Sequence, residues 1–179
     1  MFESSIAIKR NKHNHITFTI FGLGLTGAQE IKRLETIHYR MNKYAEQAFT
    51  EKKLNGLNNY DEKHILLANV AYKIVLMSGS EIINDSDRTT ANLLDCGEHY
   101  GYRRPIAGII SRIREEISDE QMKEMDIWSI TALHDHILCV DGFPYVLRSS
   151  RGGEGSLLVG YWSHPDIQWK SNDTFAFFC

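Results

Sequence analysis

The chain predicts an α+β fold, with helices in its first half and an antiparallel sheet in its second. Three observations carry this. Apolar residues recur at three- and four-residue steps over 28–53 and again over 105–117; five strand-like runs crowd the last third; and Asp141-Gly142 divides two of those runs as a hairpin turn does.

Taken in order, HITFTIF at 15–21 alternates and reads as a short strand. Gly22, Gly24 and Gly27 follow, in the strand-to-helix context of a dinucleotide-binding loop. Such a unit needs a second parallel strand ending in an acid, and the chain instead offers LNGLNNY and another helix. The segment is therefore read as a turn capped by Thr26. Ile31, Leu34, His38, Met41, Ala45 and Ala48 line one face of a helix over 28–53. A second helix is expected over 61–77, apolar almost all round from Ile65 and hence buried. SGSEIINDSDRTT at 78–90 is the candidate junction. It divides a helical N-terminal part, 1–80, from an α+β core, 90–179, as one domain or two subdomains.

Beyond the junction a helical turn is expected over 95–102. Pro105 suits a first helical position and opens a helix carrying Ile106, Ile109, Ile110, Ile113 and Ile117. Ser118-Asp-Glu-Gln121 is a capping-box pattern. Strands are expected over 127–133, 136–140, 145–149, 157–162 and 174–178. Trp128, Trp162, Trp169, Phe175, Phe177 and Phe178 are read as core and sheet packing, with an aromatic C-terminus that also suits an interface.

Composition removes several function classes. The 179 residues include 20 Lys+Arg and 23 Asp+Glu, a net charge of −3, so no excess of positive charge is present to hold nucleic acid. No apolar run approaches the roughly 20 residues of a membrane span. MFESSIAIKRNKHNH has no apolar core of signal-peptide length. The expected location is the cytoplasm, or a host cell reached without a cleaved signal peptide. Cys96, Cys139 and Cys179 are odd in number and widely spaced, which suits a reducing compartment. Arg103, Arg104, Arg112 and Arg114 are followed at once by Glu115 and Glu116, the pattern of a solvated face. Arg148, Arg151 and the glycines at 152, 153 and 155 read as a long hairpin connection.

The residues with most chemical content are Asp95-Cys96-Gly97-Glu98-His99 and, some forty residues on, His134-Asp135-His136-Ile137-Leu138-Cys139-Val140-Asp141-Gly142. A thiol attacks as thiolate, and a helix start or a nearby imidazolium acidifies it. Cys96 is expected at a helix start, with backbone N–H groups around it for an oxyanion. His136 heads an apolar strand, and alternation places His134 on the same face with Asp135 turned away. The same residues allow a different reading, in which Cys96, His99, His134 and His136 supply zinc, with His164 as a further candidate. A third leaves Cys96 and His136 as ordinary packed side chains.

Over residues 93–162 this pattern resembles papain-like thiol enzymes, most closely the compact cysteine protease and deamidase domains of bacterial toxins and injected effectors. The resemblance implies a papain-like core, no cofactor, and a protein substrate cleaved at a peptide bond or deamidated at a glutamine. It implies Cys96 as nucleophile and His136 as base. Gly160-Tyr161-Trp162 stands where the family carries Asp-Pro-Trp, so the orienting acid is assigned to Asp166, Asp141 lying too close along the hairpin. The alternative function is a non-catalytic inhibitor or adaptor that binds a protein target, as a degenerate thiol fold or a zinc-stabilised domain. The sequence does not specify an oligomeric state.

Overall fold

The computed structural model describes residues 6–51, 59–139, 142–152 and 156–179. Among the described residues, six α-helices pack around one mixed sheet. The elements run β1 (Lys9–Arg10), β2 (Ile16–Phe21), α1 (Gly27–Thr36), β3 (Arg40–Met41), α2 (Lys43–Thr50), α3 (Asn59–Lys63) and β4 (Ala71–Ser78). They continue with α4 (Thr90–His99), α5 (Ile109–Glu116), α6 (Asp119–Glu124), β5 (Ser129–Ala132), β6 (Ile137–Leu138), β7 (Pro144–Ser150), β8 (Leu157–Trp162) and β9 (Thr174–Phe178). The strand order is β1-β2-β4-β9-β5-β7-β8-β3, with β6 paired to the start of β7. Most neighbours are antiparallel, but β5 runs parallel to β9 and β3 parallel to β8. The expectation of a purely antiparallel sheet is corrected accordingly.

The sheet is covered on both faces. Alternation along β4 turns Ile74 and Leu76 to one side, where they join Phe18, Ile20, Leu147 and Leu158 with Leu34, Phe49, Ile110 and Ile113 from α1, α2 and α5. Val75 and Met77 face the other side, with Leu93 of α4, Trp169, Phe175 and Phe177. A strand buried on both faces loses the polar half of its alternation. That is why IVLM at 74–77 reads as a buried helix. The helix expected over 61–77 is thus a single turn and a half, α3, followed by the central strand β4.

The helix expected over 28–53 is also two helices. The chain leaves α1 at Ile37, His38 turns with φ 60°, and Arg40–Met41 pair with Leu157–Leu158 before α2 begins. Asn42 fixes this break, its Oδ1 accepting the Ala45 N–H at 2.8 Å as a helix cap and the Gly160 N–H at 3.0 Å across the sheet. Both caps form as read, Thr26 on α1 and Ser118 with Gln121 on α6, and Gln29 completes a capping box with Thr26. Pro105 does not open a helix. The Ala107 and Gly108 N–H groups donate instead to His64, at Nδ1 and at the carbonyl, both at 3.2 Å, so α5 starts at Ile109.

The described residues of 1–80 are not a purely helical unit: β1 to β4 come from them, and β4 pairs with β9 over 74–78, so both segments build one sheet. The 78–90 junction is tied down by Arg88, only 2% exposed, which donates to the carbonyls of Gly79, Ile82, Ile83 and Trp169 and pairs with Asp85. Among the described residues no helix is long and apolar enough to cross a membrane.

Candidate functional site

Cys96 lies in the last turn of α4, not at a helix start. Thr89 caps that helix by accepting the Asn92 N–H at 3.3 Å, a start signal hidden in the polar junction. The sulfur therefore sits at the end of the helix where carbonyls, not N–H groups, are left over. It is partly buried against the apolar cluster on this face of the sheet, which includes Leu93 and Phe177. Burial pushes the thiol pKa up, and the Glu81 carboxylate pushes it further. Both effects oppose thiolate formation.

His136 stands immediately before β6, as expected, and is exposed. Its Nε2 lies 3.2 Å from the hydroxyl of Ser163, a residue with no exposed surface. Its carbonyl accepts from Asn59 Nδ2 at 3.3 Å. Partial burial lowers the ring's pKa, Arg104 lowers it further, and Asp135 opposes both. Asp135 itself pairs with Arg104 at 2.5 Å. Asp166 is 90% exposed and lies 3.2 Å from His164 Nδ1. The structure thus engages two of the three assigned catalytic residues elsewhere, His136 with Ser163 and Asp166 with His164, while the charge acting on the Cys96 thiol is the Glu81 carboxylate, which disfavours its ionisation. Asp141 lies outside the described residues, as do the glycines at 153 and 155.

His134 does not share a surface with His136. The backbone between β5 and β6 is irregular, and His134 is 2% exposed. Its Nε2 accepts the Leu147 N–H at 2.9 Å, which leaves the ring proton on Nδ1 for the Asp135 carbonyl at 2.7 Å. Among the described residues no three of His, Cys, Asp and Glu gather to hold a metal ion, so Cys96, His99, His134 and His136 form no common ligand set.

Two other readings gain geometry. At the Gly22–Gly27 turn the Gly27 N–H donates to Asp61 Oδ1 at 2.7 Å, so a side-chain carboxylate already occupies this helix start. The arginines of α5 are not a solvated face. Arg114 is 4% exposed and pairs with Asp119, while Arg112, Glu115, Arg33 and Glu30 interlock between α5 and α1.

Sequence reasoning missed two features. One is an apolar surface beside His136, where Leu138, Phe143 and Trp162 are 60%, 52% and 45% exposed. Phe143 meets Trp162 edge to face at 6.5 Å, and Trp162 stacks on His164 at 5.3 Å. Trp162 and Trp128 were expected in the core, yet of the three tryptophans only Trp169 is buried. Trp162, the last residue of β8, and Phe143, just before β7, lie at the exposed end of this strand pair, a distinction invisible until the pairing is known. The second feature is a chain of polar side chains around Glu81, drawn from separate parts of the sequence. The pair His13 and His15 is its one local sign.

Comparison with protein-family models, with curated proteins and with solved structures found no match.

Proposed function

We propose that this protein acts by binding a protein partner through the apolar surface around His136, as a non-catalytic inhibitor or adaptor. The observation that carries this reading is the group Leu138, Phe143 and Trp162, three large apolar side chains left 60%, 52% and 45% exposed on β6, just before β7 and at the end of β8. Exposed groups of this size mark contact sites, and aromatic anchors dominate the energetics of such contacts. The occupant is an apolar side-chain cluster on the partner, because the nearby polar groups are already engaged within the chain, Arg104 with Asp135 and His164 with Asp166.

The thiol-hydrolase reading requires Cys96 to ionise beside a general base. The charge acting on the Cys96 thiol is the Glu81 carboxylate, which disfavours ionisation, and His136 has a different partner. The binding reading needs neither step. The test is a comparison of partners crosslinked by the native chain and by a Phe143→Ser/Trp162→Ser variant with unchanged circular dichroism. A partner held by the native chain and lost by the variant supports the reading. Equal capture by both, or peptide or glutamine hydrolysis abolished by Cys96→Ala, overturns it.

A further inference from the structure

The pairing of β5 with β7 continues for one step beyond both strands. The Arg151 N–H donates to the Trp128 carbonyl at 3.0 Å, which extends the register of Ser129 with Ser150. Trp128 and Arg151 are therefore cross-strand neighbours whose side chains leave the same face of the sheet. By alternation that is the face of Ile130, which packs in the core with α5. A cleft of about 370 Å³ opens there, lined by Asp119, Glu120, Lys123, Trp128, Arg151 and Gly152. It stands at the opposite end of β7 from Phe143 and takes nothing from the apolar surface there.

Trp128 is 61% exposed, and the Arg151 guanidinium lies over its ring, 5.0 Å from the centroid. Such a contact fixes the guanidinium and leaves its N–H groups free to donate. The Nε of Arg151 is buried with no hydrogen-bond partner, and Arg151 forms no ion pair among the described residues. The other charges of the lining are answered. Asp119 pairs with the buried Arg114, while Glu120 and Lys123 are exposed charges of opposite sign on α6. Arg114 also donates to the Ile117 carbonyl, and its Nε too is buried without a partner. Burial holds the Arg114 pKa below its ordinary value; Tyr39 and Glu120 oppose this, and the charge of Arg151 adds to it. Three cations thus meet two carboxylates, and the one without a counter-charge is Arg151. A held guanidinium with a buried, unused donor is matched by an oxyanion, which supplies both acceptor and charge. Among the lining residues Trp128 alone is large and apolar, so the body joined to that oxyanion has to be flat enough to lie against one indole.

We infer that this cleft binds a small aromatic ring bearing an oxyanion, with Arg151 as the contact for the oxyanion and Trp128 as the surface for the ring. Arg114 adds charge from behind Asp119. The test is titration of the whole chain with phenyl phosphate and with benzoate, followed by nuclear magnetic resonance. Saturable shifts are expected at the Trp128 indole N–H and at the amides of Arg151 and Gly152. A response to either compound supports the assignment, and the tighter of the two names the oxyanion. Arg151→Gln should weaken binding at least tenfold and Trp128→Ala severalfold, each with unchanged circular dichroism. Phenol, benzylamine and inorganic phosphate, titrated into the native chain, give an answer that does not depend on either variant folding. Phenol lacks the charge, benzylamine reverses it and phosphate lacks the ring, so all three should bind at least tenfold more weakly. Binding of any of them as tight as that of the aryl anions, shifts centred elsewhere, no saturable response, or undiminished binding in Arg151→Gln would overturn the assignment.

Discussion

His64 and His134 meet edge to face with ring centroids 4.9 Å apart, both essentially out of solvent at 1% and 2% exposure. Each accepts a backbone N–H, from Ala107 at His64 Nδ1 and from Leu147 at His134 Nε2. An accepting nitrogen cannot also carry a proton, so the folded state requires both rings neutral. Burial lowers His64 to about 4 and His134 to about 3, the latter helped by its neighbour.

Acid should therefore unfold this protein earlier than its carboxylates alone would. Both histidines titrate near 6.5 in the unfolded chain and far lower in the folded one, so between those values the unfolded state binds more protons. Their stabilising contribution is complete above about pH 6.5 and is lost as pH falls toward 4 and 3. The loss should amount to a few kcal/mol in all. Urea unfolding at pH 7.0, 5.5 and 4.5 measures it, and a His134→Gln variant should show a flatter dependence. A pH-independent midpoint across that range would contradict the assignment of neutral rings.

Cys96 should behave as an ordinary, reluctant thiol. Iodoacetamide labelling of the native chain, read at Cys96 by mass spectrometry, should rise only above the usual thiol range, because burial and Glu81 both disfavour the thiolate. Glu81→Gln should shift that profile to lower pH. Rapid labelling at pH 6 would refute this and revive a catalytic role.

Gly160 should tolerate no side chain. A Cβ there would lie 2.6 Å from the Tyr44 carbonyl carbon and 2.8 Å from the Ala45 nitrogen, at the place where α2 crosses β8. Backbone cannot yield as a flexible side chain can. Gly160→Ala is expected to cost about 2–4 kcal/mol, in the range of overpacked cores and broken backbone contacts. Thermal melting gives the value, and a change within about 0.5 kcal/mol would mean that α2 can lift from the sheet freely.

Arg88 should be irreplaceable by lysine. Its guanidinium reaches four carbonyls spread over Gly79, Ile82, Ile83 and Trp169, a fork that one ammonium cannot reproduce. Arg88→Lys and Arg88→Ala should both destabilise by about 2–4 kcal/mol, since either leaves buried acceptors unpaired. Comparable denaturation midpoints for Arg88→Lys and the native chain would show that the loop is held by other means.

Features with a local cause were legible in the sequence. Thr26, and Ser118 with Gln121, cap helices where read, because capping depends only on residues within one turn. The strands expected at 15–21, 145–149, 157–162 and 174–178 each match an observed strand to within one residue at either end, because short runs rich in β-branched, aromatic and other apolar residues mark them locally. What failed depended on distant partners. β4 hid as a helix because both its faces are covered, and β3 exists only because Leu157 and Leu158 lie beside it. The site was read less well for the same reason. Locating His136 at the head of β6 was a local matter, whereas its partner Ser163 arrives from the end of β8. Cys96 was misplaced on its helix because the cap at Thr89 lies within a stretch that reads as a linker.

The position of β9 also governs how the chain can acquire its structure. The strand that follows all the others in sequence inserts between β4 and β5, and it joins the two flanking groups of strands into one. Until that piece is laid in place, the earlier strands are two unfinished ribbons with bare margins. Assembly must wait on contacts between far ends of the polymer, which is the condition for slow, highly cooperative folding and for vulnerability to self-association on the way.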